Sequence, residues 1–209
     1  MALKEYLDSY GVSAKDLPAI AGTYKGGLIV CADAMCVWDD LERFGCKSLV
    51  GRGRVHKDGY DFMTVNKLVE TFPGNIEHCY SNQPYHLEAF IAARRNEYVK
   101  EFAPPGHVHS CSRGGKWKWP FLGHGTSGLG AVLAGLGLGY EEIVICGMPL
   151  DDGPHNGEPP WRMCRIGSSE TAGPVSGGPN QYWKRAMELA FDGRVKSMSG
   201  RTADWLGRP

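Results

Sequence analysis

Acid–base chemistry has one obvious home in this sequence, the stretch Asp151-Asp-Gly-Pro-His-Asn-Gly-Glu158. An imidazole at His155 can take a proton from a hydroxyl near neutral pH, and a carboxylate beside it orients the ring. Asp151 and Asp152 supply that carboxylate. The same two acids with His155 and Glu158 form an oxygen-and-nitrogen set that a divalent cation accepts, although no metal is expected from the spacing. Read without a ligand, the D-D-G-P composition is also that of a solvated turn.

A second segment, Gly123-His-Gly-Thr-Ser-Gly128, has the composition of an anion-binding helix start. Thr126 or Ser127 can cap the helix, and Gly125 and Gly128 let a ligand approach free backbone N–H groups. No Gly-Lys-Ser/Thr follows, so it is not a phosphate loop, and it is not a G-x-G-x-x-G turn after a first strand. A phosphate placed there gains about 0.3–1 kcal/mol from the helix dipole, and about 2 when partly buried. The alternative is an ordinary cap with glycines chosen for packing.

Two further clusters carry chemistry. His107-Val-His109-Ser-Cys111 puts three metal-binding side chains on one face of a strand, with His124 nearby, but lacks paired ligand spacing. Arg113-Gly-Gly-Lys-Trp-Lys-Trp119 interleaves bases with aromatics. Together with Arg52 and Arg54, the residues Lys116, Trp117 and Trp119 could meet an acceptor or a polyanion, including single-stranded nucleic acid. Two tryptophans are costly if left exposed, so this loop is expected to cover something.

The elements that must position these groups read as alternating strands and helices. Gly27–Ala32 and Glu142–Cys146 are compact apolar runs, the pattern of strands buried on both faces. Further strands are expected over Lys47–Val55, Ile76–Tyr80, around Val108, and over Val195–Met198. Helices are expected over Leu3–Tyr10, Val37–Phe44, Met63–Phe72, Pro84–Phe102 and Gly125–Gly139, with a late one whose inner face is Trp183, Ala186, Met187 and Ala190. Along Pro84–Phe102 the stripe is Leu87, Phe90, Ile91, Tyr98 and Phe102, with Arg94, Arg95, Glu97 and Lys100 turned away. Cys111–Pro120 reads as a loop, and Gly147–Asn180 as irregular.

This order predicts a single Rossmann-like α/β domain over residues 1–209, a mostly parallel sheet flanked by helices. In such a sheet ligands bind beyond the carboxyl ends of the strands. That places Asp33 after the first strand, and Ser81 and Asn82 after the third, beside the helix start. These loops are the expected nucleoside contacts.

Composition narrows the classes. Charges balance, 23 Lys+Arg against 23 Asp+Glu over 209 residues, so a uniformly basic nucleic-acid coat is excluded. Seven cysteines with no C-x-x-C, and no apolar leader at the start, fit free thiols in a reducing cytoplasm. Cys31, Cys79 and Cys146 fall in apolar strands and read as core thiols. The longest apolar stretch, Leu129–Tyr140, is too short and too glycine-rich to span a bilayer.

The segments in this order resemble the sialyltransferase-like nucleotide-sugar enzymes and the related 6-hydroxymethylpterin pyrophosphokinase-like Rossmann proteins. The resemblance covers roughly Gly27 to Glu158. It implies that Thr126, Ser127 and Gly128 hold a nucleotide, that Glu142–Gly147 is the strand that follows, and that His155 is the catalytic base. After the first strand this chain has Cys31-Ala-Asp-Ala-Met where the family has Gly-Asn-Gly. Beyond His155 it keeps an acid, Glu158, but not the family's aromatics. The expected function is therefore a transferase using a nucleotide-activated donor, a glycosyltransferase acting on an acceptor hydroxyl. The alternatives are a nucleotidyl or phosphoryl transferase of the pyrophosphokinase type, and a non-catalytic binder of nucleotides or nucleic acid.

Overall fold

The computed structural model describes residues 2–47, 54–94, 101–111, 116–120, 126–150 and 178–209. Seven strands form one all-parallel sheet: β1 (Gly27–Cys31), β2 (Tyr60–Val65), β3 (His78–Tyr80), β4 (His107–Ser110), β5 (Trp117–Lys118), β6 (Glu142–Cys146) and β7 (Val195–Ser197). Their order is β5-β4-β3-β2-β1-β6-β7. The chain steps outward from β1 to β5, then returns to place β6 on the other side of β1. That reversal makes the carboxyl ends of β1 and β6 the topological switch point of the sheet, the place where such sheets bind ligands.

The period-2 alternation of a strand divides the core into two layers. Leu28, Val30, Ile143 and Ile145 face one side, with Tyr6 and Leu7 of α1 (Ala2–Asp8), the whole of α5 (Ser127–Leu138), and Trp183 and Ala186 of α6 (Gly178–Leu189). Ile29, Cys31, Val144 and Cys146 face the other, against α2 (Val37–Arg43), α3 (Leu68–Thr71) and α4 (Pro84–Ala93). A last helix, α7 (Gly200–Leu206), follows β7.

Helix α5 carries no charge, and Gly128 through Leu138 are all buried. Its glycines bring the backbone down onto side chains. A Cβ at Gly130 would meet the Tyr80 ring, at Gly135 Leu28, and at Gly137 Trp119. Gly139 ends the helix at φ 108, a left-handed conformation for which glycine is the default.

The second strand is displaced from the expected segment. Of Lys47–Val55, residues 48–53 lie outside the described residues, and its two ends make only isolated bridges, Lys47 with His56 and Val55 with Gly74. The strand is Tyr60–Val65, within what the spacing had assigned partly to a helix from Met63. Asn66, at φ 53, stops it, and only a short helical turn follows. Phe62, Thr64 and Val65 are the aromatic and β-branched residues a half-buried pleat favours. Of the expected helix Pro84–Phe102, α4 covers Pro84–Ala93, residues 95–100 with Arg95, Glu97, Tyr98 and Lys100 lie outside the described residues, and Phe102 is not helical. Trp117–Lys118 is an edge strand inside the expected loop.

Candidate functional site

At the carboxyl end of β3, the segment Ser81–Gln83 is tied to three neighbours. Ser81 donates from Oγ to Asn66 Oδ1 at 2.8 Å and accepts from the Gln83 amide at 3.0 Å. Tyr80 donates its hydroxyl to Asn82 Oδ1 at 3.1 Å. The Asn82 amide donates to Ser127 Oγ at 3.1 Å, which locks the loop to the first turn of α5. Thr126 caps that helix, its side chain accepting from the Leu129 amide at 3.3 Å. Ser81, Asn82, Thr126, Ser127 and Gly128 are therefore brought together at the carboxyl end of the sheet.

Within that site the roles divide. Ser81 is buried and Ser127 accepts from Asn82, so both build the frame. Thr126 and Asn82 are half-buried and reach its surface. Gly128 is a packing position, where a Cβ would strike the Met148 thioether. Sequence reasoning missed Tyr85, which stands 65% exposed on the first turn of α4. Its ring meets His86 edge-on at 4.2 Å. The available signal was an aromatic two residues beyond Gln83 at a helix start.

The carboxyl ends of β1 and β6 are joined by a second network. Ala32 and Ala34 donate backbone N–H groups to Cys146 and Gly147 carbonyls at 2.9 and 3.2 Å. Asp40 is fully buried, and its Oδ2 accepts from the Gly147 amide at 2.8 Å and from Ser199 Oγ at 2.7 Å. Cys36 Sγ lies 3.3 Å from the same Ser199 hydroxyl. Thr202 Oγ1 donates to the Met148 carbonyl and the Arg201 amide to the Pro149 carbonyl, each at 2.8 Å. The stem Gly147–Leu150 is thus held from both sides. Asp33 is half-buried in the loop after β1, between Ala32 and Ala34, whose amides bond the Cys146 and Gly147 carbonyls.

Gly147 sits at φ 68, and a Cβ there would lie 2.4 Å from the Ala32 carbonyl oxygen. Gly147→Ala is expected to cost about 1–3 kcal/mol from the left-handed backbone alone. Urea denaturation checks this; an unchanged midpoint would mean that the β1 loop yields freely.

The remaining candidates separate. Asp151, Asp152, His155 and Glu158 lie outside the described residues, as do Arg52, Gly125 and His124. Arg54 and Lys116 are exposed. Trp117 is half-buried, whereas Trp119 has no exposed surface and is built into the core beneath α5. The expectation that these tryptophans cover something holds for Trp119.

His107 and His109 share one face of β4, but their ring nitrogens are engaged. Trp117 donates to His107 Nδ1 at 3.2 Å and Trp119 to His109 Nδ1 at 3.0 Å. Cys111 lies at the other end of the strand, its thiol 3.9 Å from the Asn82 carbonyl. Among the described residues no group of three His, Cys, Asp or Glu side chains is arranged to hold a metal. Six cysteines there are free thiols, with Cys31, Cys79 and Cys146 in the core, where burial raises their pKa. No described helix is long and apolar enough to cross a membrane.

Compared with protein families, curated proteins and solved structures, the chain matches none of them.

Proposed function

We propose that the protein is a transferase using a nucleotide-activated donor, with a glycosyl group passed to an acceptor hydroxyl. The observation that carries this reading is the Asn82–Ser127 hydrogen bond. It joins a post-strand loop and a helix start, 45 residues apart, at the ligand-binding end of a Rossmann-like sheet. The first turn of α5 then offers backbone N–H groups and a positive dipole end to a phosphate. Asn82 and the exposed ring of Tyr85 offer a polar edge and a stacking face to the nucleoside, with Asp33 across the β1 loop. The resemblance to the sialyltransferase-like enzymes adds to this reading.

In the proposed reaction the acceptor oxygen attacks the anomeric carbon and passes its proton to the His155 imidazole. The bond from the anomeric carbon to the nucleotide oxygen breaks, and its electron pair leaves with the phosphate. N–H groups already aimed at that phosphate stabilise the developing charge without reorganising, which is where electrostatic catalysis acts most strongly. Asp151 or Asp152 orients His155. Arg54 and Lys116 are the described basic side chains left to meet an acceptor.

Thermal-shift titration with nucleoside mono- and diphosphates and nucleotide sugars tests the reading. A ligand at one hundred times its dissociation constant stabilises the fold by about 2.7 kcal/mol. In the double variant Thr126→Ala/Ser127→Ala, affinity for the responding nucleotide is expected to fall by about 1–3 kcal/mol while the protein stays folded. Unchanged affinity in the folded variant would reduce the segment to a helix cap.

A further inference from the structure

A chain of buried polar side chains runs across the α5 side of the sheet, from Trp119 beyond β5 to Asp61 on β2. The Trp119 indole donates to His109 Nδ1 at 3.0 Å. His109 Nε2 lies 3.0 Å from His78 Nδ1, and His78 Nε2 lies 2.9 Å from the Tyr140 hydroxyl. Tyr140 donates to Asp61 Oδ2 at 2.6 Å. His78, His109, Trp119 and Tyr140 have no exposed surface.

The two ends fix the direction of every bond. An indole N–H can only donate, and a carboxylate oxygen can only accept. His109 must therefore accept at Nδ1 and donate from Nε2; His78 must do the same, and Tyr140 must accept from His78. Each of the four bonds uses one proton, and none is spare. An added proton at His109 Nδ1 would face the Trp119 N–H. One at His78 Nδ1 would face the His109 N–H. Either way one bond becomes a donor-to-donor contact, and a cation is left in the core.

The rings are also poorly placed to gain a compensating charge. Around them lie Asp61 on β2, already taken by Tyr140, and Glu77, which accepts from Tyr24 at 3.0 Å and lies 3.5 Å from His107. His107 is stacked on His78 at 5.4 Å and repels a second cation. Burial first, then the neighbouring histidines, pulls His78 down to about 2 and His109 to about 3. A histidine depressed in this way stabilises the fold fully above its unfolded value near 6.5, and that stability drains away as pH falls below it.

The edge of the sheet depends on this chain. Among the described residues, β5 pairs with β4 at His109–Trp117 and Ser110–Lys118, followed by the Trp119 amide on the Ser110 carbonyl at 2.8 Å. Its two tryptophans anchor it through the β4 histidines. We propose that the β4–β5 edge is a proton-operated latch, closed while His78 and His109 are both neutral and opened when either ring takes up a proton.

Hydrogen exchange of the whole chain, corrected for the intrinsic pH dependence, tests this between pH 7 and about pH 5, below the unfolded histidine value. Peptides covering β4 and β5 are expected to lose about tenfold or more of their protection while those of β1 and β6 keep theirs. The variant His78→Gln/His109→Gln preserves one acceptor and one donor at each place but does not titrate, so its β4–β5 protection is expected to stay flat. Simultaneous loss at β1 and β6, no loss at all, or the same loss in the variant would each overturn the latch. Should the variant not fold, ring-nitrogen NMR of the wild type decides. Both rings are expected to be neutral Nε2–H tautomers at pH 7, and a ring titrating near pH 6.5 with the edge still protected would overturn the proposal.

Discussion

Arg94→Ala is expected to cost about 3–5 kcal/mol of stability, the range for stripping one partner from a buried charged hydrogen-bond set. The guanidinium is fully buried, and carbonyl oxygens meet it on several sides. Nη1 donates to Val69 at 3.1 Å and Phe72 at 2.6 Å, Nη2 to Gly74 at 2.7 Å, and Nε to Ala103 at 3.3 Å. Three of these acceptors lie at the end of α3 and in the turn after it, where helix carbonyls have no intrahelical donor. Burial lowers the group to about 10, so it remains charged at neutral pH. Removing it leaves four carbonyls without that donor and a cavity among α3, α4 and the segment at Ala103. Arg94→Lys is expected to recover less than half, because one ammonium cannot span the same fork of acceptors. Equilibrium denaturation reads both values. An Ala variant within about 1 kcal/mol of wild type would show that water reaches these carbonyls.

Arg94 also shows how the sequence was misread. It stands at i+7 from Leu87 and i+4 from Phe90, on the same helical stripe, so spacing alone turns it inward. Residue type argued the opposite, since arginine is seldom fully buried without partners. The partners are backbone carbonyls from another helix, and no local pattern shows them. β1 and β6 were legible because GLIVC and EIVIC are unbroken apolar runs. β2 was not, because Asp61 and Thr64 interrupt its pattern, and Asp61 is there to receive Tyr140.

The candidate site divides along the same line. Post-strand loops and a capped helix start can be read from residue types, which is why Ser81, Asn82, Thr126 and Ser127 were found. That the Asn82 amide rests on Ser127 depends on α5 lying over β3, a consequence of sheet order. The histidine chain was half legible. Alternation put His107 and His109 on one face, but His78 joins them only through the register that sets His78 beside His107 and Tyr80 beside His109.

His155→Ala is expected to lower turnover by about 10²–10⁴-fold, the usual worth of a positioned general base, with nucleotide affinity largely kept. Met148 packs against Gly128 at the start of α5, so the stem after β6 adjoins the proposed phosphate site. His155 follows Met148 by seven residues, so its backbone stays within ~25 Å of that contact even when fully extended. The stem is fixed by Asp40 through Gly147 and by Thr202 through Met148. On the proposed function, a base in the segment after this stem would act on the acceptor while α5 holds the nucleotide, which would separate proton transfer from donor binding. His124, two residues before Thr126, is the contrasting case: His124→Ala is expected to weaken donor affinity and leave turnover at saturation nearly intact. Steady-state kinetics with the donor found by thermal shift separates the two, through kcat for His155 and KM for His124. Full turnover in His155→Ala would transfer the base role to the Asp151–Asp152 pair, which precedes it in the same segment.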